Sequence, residues 1–461
     1  MRSLARTFVL TAALLGVVSA TADAQIRDRG DLVAAIDSAA RDHVEHAMVA
    51  GVSVAVVRGT DTLLKRGYGF ADLEWGIETP PDASASYEIG SMTKQFTAAA
   101  IMQLVQEGTL DLDADFTEYL TDFDAQGHVV PLRRLLDHTS GIKAYTAMSV
   151  FGDLAAKSLP RDTLVSLVEA EPFEFEPGTA QIYNNSAFFF LGLIIERMSG
   201  QSYEEYVQEH LFDELGKCDS YYCSESAIRE NRAHGYDGSP QGLQRKGYLD
   251  HLWPYAAGSL CSTAGDLIRW NQALHRGSIV SEASYQAMTT PMPLVDGTPL
   301  EYAMGLGVGD RAGAVVISHG GGINGFLSDG HYYPGEELSI IVLQNSTGPQ
   351  GPGALSTAIA ELILGPVPDP VAADYSGALE VLVGEYIGPA RGTHLHMTVS
   401  REGDQLVFTR RGQADGQRPL HVGDGVWQIG GTRFEFDVVG DRAIELMMFQ
   451  GAARYRLKRS P

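Results

Sequence analysis

The sequence predicts an α+β protein: an antiparallel sheet flanked by helices, with an all-helical subdomain and a small all-β barrel or meander at the C-terminal end. β-Branched runs bounded by glycine occur at residues 52–70 and return at residues 314–344. The part between them, residues 111–299, has mostly the apolar spacing of helices. Past residue 377, short alternating runs are separated by Gly-Asp and Gly-Gly pairs, as in a meander. Strands on both sides of a helical region favour one sheet in which the two ends of that region meet.

The first 24 residues are typical of a secretory signal peptide. Arg2 and Arg6 precede an apolar run at residues 8–18, and Ala22-Asp23-Ala24 is a small-residue cleavage site. The apolar run is too short to span a membrane, and no later run is long enough either. We expect cleavage after Ala24 and a secreted or periplasmic protein without stable membrane insertion. An uncleaved anchor is the alternative.

Composition divides the remaining chain into three segments: a main domain at residues 25–365, a linker at residues 366–376 and a β-rich domain at residues 377–461. The linker is rich in proline, which disfavours regular structure. The β-rich domain contains no nucleophile–base pair, so we expect it to be an accessory domain. The strands expected around the candidate nucleophile all precede the linker.

The formal net charge of −24 at pH 7 repels phosphate backbones, so nucleic acid is not an expected partner. The same charge can also serve solubility alone. Neither the cysteines nor the histidines have the spacing of a zinc site, and we expect His394 and His396 to lie on the surface. We therefore expect no metal and no cofactor, and a small-molecule or peptide substrate. The sequence leaves the oligomeric state open.

Three cysteines, Cys218, Cys223 and Cys261, suggest one disulfide and one free thiol in an exported protein. A bond between Cys223 and Cys261 closes a loop of 38 residues and contributes about 4 kcal/mol in the chain-entropy description. A bond between Cys218 and Cys223 closes a much smaller loop and contributes less. We prefer Cys223–Cys261; three free thiols are the alternative.

The stretch around Ser91 and Lys94 is the strongest candidate for chemistry. It opens a nearly uncharged segment rich in helix-forming residues that ends at Gly108, which predicts a buried central helix. Residues i and i+3 share a helix face, so we expect Lys94 one turn above Ser91. A buried ammonium is costly unless it is paired or deprotonated, which makes Lys94 a candidate general base. The alternative is a serine N-cap with a surface lysine.

Two later clusters complete a pattern of three motifs. Tyr183-x-Asn185 precedes an apolar helix, and His319-Gly320-Gly321 follows a predicted strand. In order and spacing, these clusters and Ser91-x-x-Lys94 resemble the motifs of the serine β-lactamase and penicillin-binding protein superfamily. The tyrosine in the second motif resembles the class C branch, which also contains D-amino-acid peptidases and esterases. The resemblance covers residues 30–365, and residues 377–461 resemble the β-rich tails of some members.

The resemblance implies an acyl-enzyme mechanism in which Ser91 is the nucleophile and Lys94 and Tyr183 are general base and acid. A nearby ammonium would favour the Tyr183 phenolate. Asn185 would hold Lys94 and a substrate amide. The oxyanion donors would be the backbone N–H groups of Ser91 and Gly322.

The residues at positions 319 and 320 indicate which class of substrate the protein accepts. Many β-lactamases have a lysine and then a hydroxyl residue there, which bind the carboxylate of the drug. In this chain His319 is largely neutral at pH 7 and Gly320 has no side chain, while Gly321 and Gly322 allow a substrate to approach the backbone. A flexible turn is the alternative for these glycines. We expect an esterase or D-Ala-D-Ala-type peptidase rather than an efficient β-lactamase, with a catalytically silent penicillin-binding-like sensor or wall-binding protein as the alternative.

Overall fold

A computed structural model describes residues 28–216, 218–451 and 453–460, so the predicted signal peptide lies outside the described residues. None of the helices in these ranges is long and apolar enough to cross a membrane. The α-helices of the described residues are α1 Arg29–His46, α2 Thr93–Gln106, α3 Arg133–Leu136, α4 Phe151–Leu154, α5 Arg161–Glu169, α6 Asn185–Ser199, α7 Tyr203–Val207, α8 Tyr255–Gly258, α9 Ala264–His275, α10 Glu282–Thr289 and α11 Pro352–Leu364.

The strands divide into two groups, before and after the linker. The first group is β1 Gly51–Arg58, β2 Asp61–Asp72, β3 Ile77–Glu78, β4 Tyr87–Glu88, β5 Tyr221–Tyr222, β6 Tyr236–Ser239, β7 Gly242–Arg245, β8 Leu260–Ser262, β9 Gly307–Arg311, β10 Ala314–Ile323, β11 Phe326–Tyr333, β12 Leu338–Gln344 and β13 Ser346–Thr347. The second group is β14 Gly384–Ala390, β15 Thr393–Glu402, β16 Gln405–Arg410, β17 Leu420–Gly423, β18 Val426–Ile429, β19 Thr432–Val439, β20 Arg442–Gln450 and β21 Ala453–Arg459.

The main sheet has the strand order β3-β2-β1-β12-β11-β10-β9, and its neighbouring strands are antiparallel. At its centre β1 pairs with β12, with Val54 opposite Val342. The prediction that both ends of the helical region meet in one antiparallel sheet is confirmed.

Helices cover both faces of this sheet, which explains the uninterrupted apolar run of β1. Val54 and Val56 pack with Ile36 of α1 and Ile359 of α11. The alternate residues of β1 face the cluster that contains α2 and the helical region. A strand buried on both faces needs apolar residues at successive positions, because neighbouring side chains point to opposite faces. Helix α2 is buried along nearly its whole length, as predicted for the central helix.

Residues after the linker form a second sheet with its own core, in the order β16-β15-β14-β21-β20-β19-β18-β17. This curled antiparallel sheet is a half-barrel with β16 and β17 at its two edges, so of the two predicted forms the open meander is the one present. It packs against the first part of the chain. Arg433 and Arg454 both pair with Glu301, at 2.7 and 2.9 Å, and Arg454 forms an antiparallel backbone bridge with Gln181.

Cys223 and Cys261 are joined by a disulfide, and Cys218 is the free cysteine. Cys261 lies in β8, which pairs with β5 on one side and with β4 on the other. Cys261 lies opposite Glu88 of β4, three residues before Ser91. The bond therefore ties the residue after β5 to β8, the strand that pairs with β4 just before Ser91.

Candidate active site

Ser91 lies in a tight 3₁₀ turn, Gly90–Met92, directly before α2 rather than in the helix itself. Gly90 has φ +52°, and a Cβ added to it would lie 2.9 Å from the backbone N of Gly322 in β10. The hydroxyl of Ser328 donates to the carbonyl of Ile89 at 2.8 Å. Glycine is needed at position 90 because the turn is in the left-handed region and presses against β10. This contact sets Ser91 beside Gly322.

Lys94 is completely buried, and its Nζ has three oxygen neighbours. It lies 3.3 Å from Ser91 Oγ, 2.9 Å from Asn185 Oδ1 and 2.8 Å from the carbonyl oxygen of Ala257. Among the described residues no carboxylate forms an ion pair with it. Burial, followed by the positive charge of Arg391, lowers the pKa of Lys94 well below that of an ordinary lysine.

A neutral Lys94 fits this geometry. Its two N–H groups can donate to Asn185 Oδ1 and to the Ala257 carbonyl, which are oxygens that only accept. The lone pair of Nζ is then left for the third neighbour, the hydroxyl of Ser91. Ser91 thus donates its proton toward Lys94, which is the arrangement that a general base requires.

Tyr183 presents a buried hydroxyl that has no hydrogen-bond partner among the described residues. Its ring lies under Lys94, with Nζ 4.7 Å from the ring centroid. Burial raises the pKa of Tyr183 strongly, and the positive charge of Arg391 opposes this only in part. The phenol is therefore neutral, and the phenolate considered from the sequence is disfavoured. Tyr183 is suited to give a proton rather than to take the first one.

Asn185 is the first residue of α6, whose N-cap is the preceding Asn184. Its Oδ1 accepts from Lys94 and its Nδ2 donates to Thr146 Oγ1 at 3.3 Å. These two bonds fix the orientation of the amide and place both predicted residues of the second motif next to Lys94.

His319 is 9% exposed, and both of its ring nitrogens contact the protein. Nδ1 lies 2.5 Å from the carbonyl oxygen of Gly320, and Nε2 lies 2.9 Å from the hydroxyl of Tyr302. Because a carbonyl only accepts, Nδ1 carries the proton and the Tyr302 hydroxyl donates to Nε2. Burial lowers the pKa of His319 to about 4. His319 is a neutral, fully hydrogen-bonded residue and does not provide a cation.

His138 packs beside these aromatic residues, with ring centroids 4.3 Å from Tyr183 and 4.7 Å from Tyr302. Its Nδ1 accepts from the backbone N–H of Asn184 at 3.2 Å. Burial lowers its pKa, so it is neutral. His138 lies within residues 30–365, over which the family resemblance extends, but it belongs to none of the three motifs and sequence reasoning assigned it no role. Nothing in the sequence pointed to Tyr302.

The backbone of β10 supplies the remaining predicted residues. A Cβ on Gly321 would lie 1.9 Å from the carbonyl oxygen of Ile89, so this glycine is required by the turn before Ser91 and not by a substrate. Ile323 and Phe326 flank the two-residue turn and form the hydrogen-bonded pair that closes the hairpin. Hydrogen-bonded and non-hydrogen-bonded pairs alternate along an antiparallel ladder, so the next pair, Gly322 and Leu327, exchanges no backbone hydrogen bonds. The N–H of Gly322 therefore points to the other edge of β10, where β9 pairs only as far as Ser318. It is free to bind an oxyanion beside Ser91, and this segment is a strand rather than a flexible turn.

A cleft of about 440 Å³ opens at Ser91. Asn185 and Gly322 line it near Ser91, and aromatic and aliphatic side chains line its walls, among them Tyr145, Phe151, Tyr248, Leu249 and Ile323. The described lining contains no aspartate or glutamate. Its one exposed charge is Arg391, which comes from the C-terminal sheet.

Arg391 corrects the expectation that the accessory domain takes no part in the site. It lies in the turn between β14 and β15, and its Nη2 donates to Thr146 Oγ1 at 2.6 Å. Sequence reasoning missed it because a lone arginine in a β-turn 300 residues from Ser91 belongs to no motif.

Comparisons with known proteins agree with this geometry. A family model described as "Beta-lactamase" matches residues 36–364. The chain belongs to the β-lactamase family. This family membership and the fold confirm the resemblance to the β-lactamase and penicillin-binding protein superfamily, and the class C branch stays a prediction from the sequence.

The relatives include proteins named D-aminopeptidase, and the similar solved structures include a D-amino acid amidase. A D-aminopeptidase of Gluconobacter oxydans is 27% identical over 304 residues, covering 64% of this chain and 55% of the relative. A D-aminopeptidase of Brucella canis is 29% identical over 322 residues, covering 68% and 60%. The chain therefore spans somewhat more than half the length of these curated relatives.

Two solved structures are similar over nearly all of their own length. A penicillin-binding protein homologue of Pyrococcus abyssi, described as octameric, has a TM-score of 0.64 at 25% identity and covers 93% of this chain and 99% of its own. The D-amino acid amidase of Ochrobactrum anthropi SV3 has a TM-score of 0.65 at 25% identity, with 72% and 99% covered. The first of these likenesses extends over the C-terminal sheet as well.

Proposed function

We propose that this protein is an exported serine hydrolase that cleaves amide or ester bonds of small D-amino-acid substrates through an acyl-enzyme on Ser91. The observation that carries the proposal is the environment of Lys94. The amine of Lys94 is completely buried, has a lowered pKa and has no acidic partner among the described residues. Because it contacts the Ser91 hydroxyl, the two residues form a pair of general base and activated nucleophile.

Acylation would proceed as follows. Lys94 takes the proton of Ser91 while Oγ attacks the carbonyl carbon, and the oxyanion accepts hydrogen bonds from the N–H groups of Ser91 and Gly322. Tyr183 gives its proton to the departing amine or alkoxide, and the Lys94 ammonium then returns a proton to Tyr183. In deacylation, Lys94 takes a proton from the water that attacks the acyl-enzyme. Lys94 then gives this proton to Ser91 Oγ as the bond between the acyl group and Ser91 breaks.

The substrate class is proposed from the relatives and from position 319. Relatives named D-aminopeptidase and D-amino acid amidase favour an amide bond next to a D-residue. The neutral His319 and the absence of a side chain at Gly320 disfavour efficient β-lactam hydrolysis. The sequence of residues 1–24 supports export, and the Cys223–Cys261 disulfide is typical of an oxidising compartment.

A substrate panel tests the proposal. Wild type and Ser91→Ala are given the p-nitroanilides of N-acetyl-D-phenylalanine and its L-enantiomer, p-nitrophenyl acetate and a chromogenic cephalosporin. We expect the wild type to prefer the D-anilide over the L-anilide and the ester over the cephalosporin, and to show an acyl mass increase that Ser91→Ala lacks. Ser278→Ala, an exposed serine, is the matched control. Hydrolysis by Ser91→Ala at the wild-type rate would show that Ser91 is not the nucleophile.

The same panel distinguishes an enzyme from the catalytically silent alternative. An acyl group that stays on Ser91 without turnover of any substrate would favour a penicillin-binding-like sensor over an enzyme.

A further inference from the structure

We infer that Arg391 binds a carboxylate of the substrate, so that the cleft beside Ser91 accepts substrates with an anionic group in preference to those with a free α-ammonium. This inference rests on the proposed function and names the substrate class of the same site. The relatives named D-aminopeptidase do not imply it, because their name refers to substrates with an amino terminus.

Arg391 carries a charge that has no acidic partner among the described residues. Its side chain is exposed, and no carboxylate of the described residues forms an ion pair with it. Glu174, the acid that contacts the neighbouring Gly392, is already engaged: Lys143 lies 3.2 Å from its Oε1, and the backbone N–H of Gly392 donates to the same oxygen at 2.8 Å. A guanidinium has five N–H donors, and the bond to Thr146 uses one of them.

The backbone around Arg391 holds this charge in place. The turn at Gly392 has φ +72°, and a Cβ there would lie 2.4 Å from the Cβ of Ala147, so the turn sits directly on the segment Tyr145–Ala147. Together with the Gly392–Glu174 and Arg391–Thr146 bonds, this contact fixes the hairpin on the wall of the cleft. A guanidinium held in position loses less conformational entropy when it binds a carboxylate.

The residues that line the cleft also favour an anionic group over a cationic one. Its described lining has Arg391 as the exposed charge and no acidic residue, and Tyr145, Phe151 and Tyr248 supply apolar surface next to it. A carboxylate can pair with Arg391 through two parallel hydrogen bonds. A free ammonium in the same cleft meets a like charge and no counter-charge. The cleft therefore suits an apolar D-residue that carries an acidic group on either side of the bond to be cleaved.

The test compares substrates that differ in one charge. On the acyl side these are the p-nitroanilides of succinyl-D-phenylalanine, acetyl-D-phenylalanine and free D-phenylalanine. On the leaving-group side they are acetyl-D-alanyl-D-alanine and its C-terminal amide. We expect the carboxylate member of at least one pair to have the higher kcat/KM in the wild type. The ratio within a pair is read on one enzyme at one pH, so a change in the protonation of Lys94 cancels.

Arg391→Gln should lower that ratio about tenfold, the contribution expected of a charge-assisted hydrogen bond. Arg391→Lys should keep most of it, and Arg391→Glu should reverse the order in favour of free D-phenylalanine p-nitroanilide. Arg411→Gln, an exposed arginine in the turn after β16 that does not line the cleft, is the matched control and should leave the ratio unchanged. A ratio that Arg391→Gln leaves unchanged in both pairs overturns the inference, even if all rates fall together.

A binding measurement keeps the inference separate from the proposed function. Ser91→Ala is titrated by calorimetry with succinyl-D-phenylalanine amide and with acetyl-D-phenylalanine amide, with and without Arg391→Gln. Tighter binding of the succinyl compound that depends on Arg391 supports the inference, even if the wild type hydrolyses nothing. Equal or undetectable binding of both compounds, together with substrate ratios that do not depend on Arg391, overturns it.

Discussion

Lys94 Nζ lies 3.3 Å from Ser91 Oγ, and its two other oxygen neighbours can only accept hydrogen bonds. This relationship places the lone pair of a neutral lysine on the proton of the serine. We expect Lys94→Arg to lower the acylation rate by about 10²- to 10⁴-fold, because a guanidinium has no lone pair to offer at any accessible pH. Stopped-flow measurement of the acylation burst checks this. Lys65→Arg, an exposed lysine, is the control, and an unchanged burst rate in Lys94→Arg would exclude Lys94 as the base.

The burial of Lys94 should appear in the pH dependence of stability. Its pKa in the folded protein is lower than in the unfolded chain, so between the two values the unfolded state binds more protons. The stability of the wild type relative to Lys94→Met therefore rises with pH and levels off above about 10.5, the ordinary value for lysine. Urea unfolding of both proteins at pH 7 and pH 9.5 measures the difference. A constant difference between the two pH values would mean that Lys94 is protonated in the folded state.

Arg391 should also affect the pH–rate profile with uncharged substrates. Its positive charge contributes to the lowered pKa of Lys94, so Arg391→Gln raises that pKa. Because the neutral amine is the active form, the acid limb of kcat/KM should move to higher pH, and the rate at high pH should change little. The profile is measured with p-nitrophenyl acetate. An acid limb that stays in place or moves to lower pH contradicts this coupling.

The contact between the C-terminal hairpin and the cleft can be loosened by one methyl group. Gly392→Ala puts a Cβ against Ala147, so we expect activity on small amides to fall while the melting temperature changes little. Gly403→Ala is the matched control, since Gly403 also has a positive φ (+60°) but has nothing within 4 Å of an added Cβ. Equal effects of the two substitutions would attribute the loss to backbone strain alone.

Because Arg391 and Gly392 contact the wall of the cleft, removal of residues 366–461 should reduce activity. The sequence predicted only an accessory role for this segment.

The environment of His319 changes the expected effect of a lysine substitution at this position. The comparison with the lysine and hydroxyl residue of many β-lactamases predicts that His319→Lys with Gly320→Thr improves reaction with carboxylate-bearing substrates. In the structure the imidazole is buried, hydrogen-bonded to Tyr302 and near the buried amine of Lys94. An ammonium in that place is desolvated next to a second amine, so we expect a loss of stability of about 1–3 kcal/mol and no gain in cephalosporin hydrolysis. Urea unfolding and cephalosporin turnover, measured together, check both parts. A faster cephalosporin rate at unchanged stability would contradict the structural interpretation.

The sequence by itself determined the frame of this protein. The β-branched runs, the helical region between them and the apolar segment after Ser91 each follow a hydrophobic period, and such periods depend on local residues alone. They predicted the main sheet, the central helix and the C-terminal meander. The three motifs predicted the family, and the positions of Ser91, Lys94, Tyr183 and Asn185 could be proposed together because each motif is short and local.

Only the tertiary structure decided the chemistry of these residues. Whether Lys94 is charged depends on burial and on Arg391, which is about 300 residues away, and the hydrogen bonds of His319 depend on Tyr302. The reason for glycine at position 321 is the carbonyl of Ile89 and not a substrate. Protonation states and close contacts arise from groups that are distant in the chain and adjacent in space, and no local pattern records them. For the same reason the part that the C-terminal sheet takes in the cleft became visible only when both sheets were seen together.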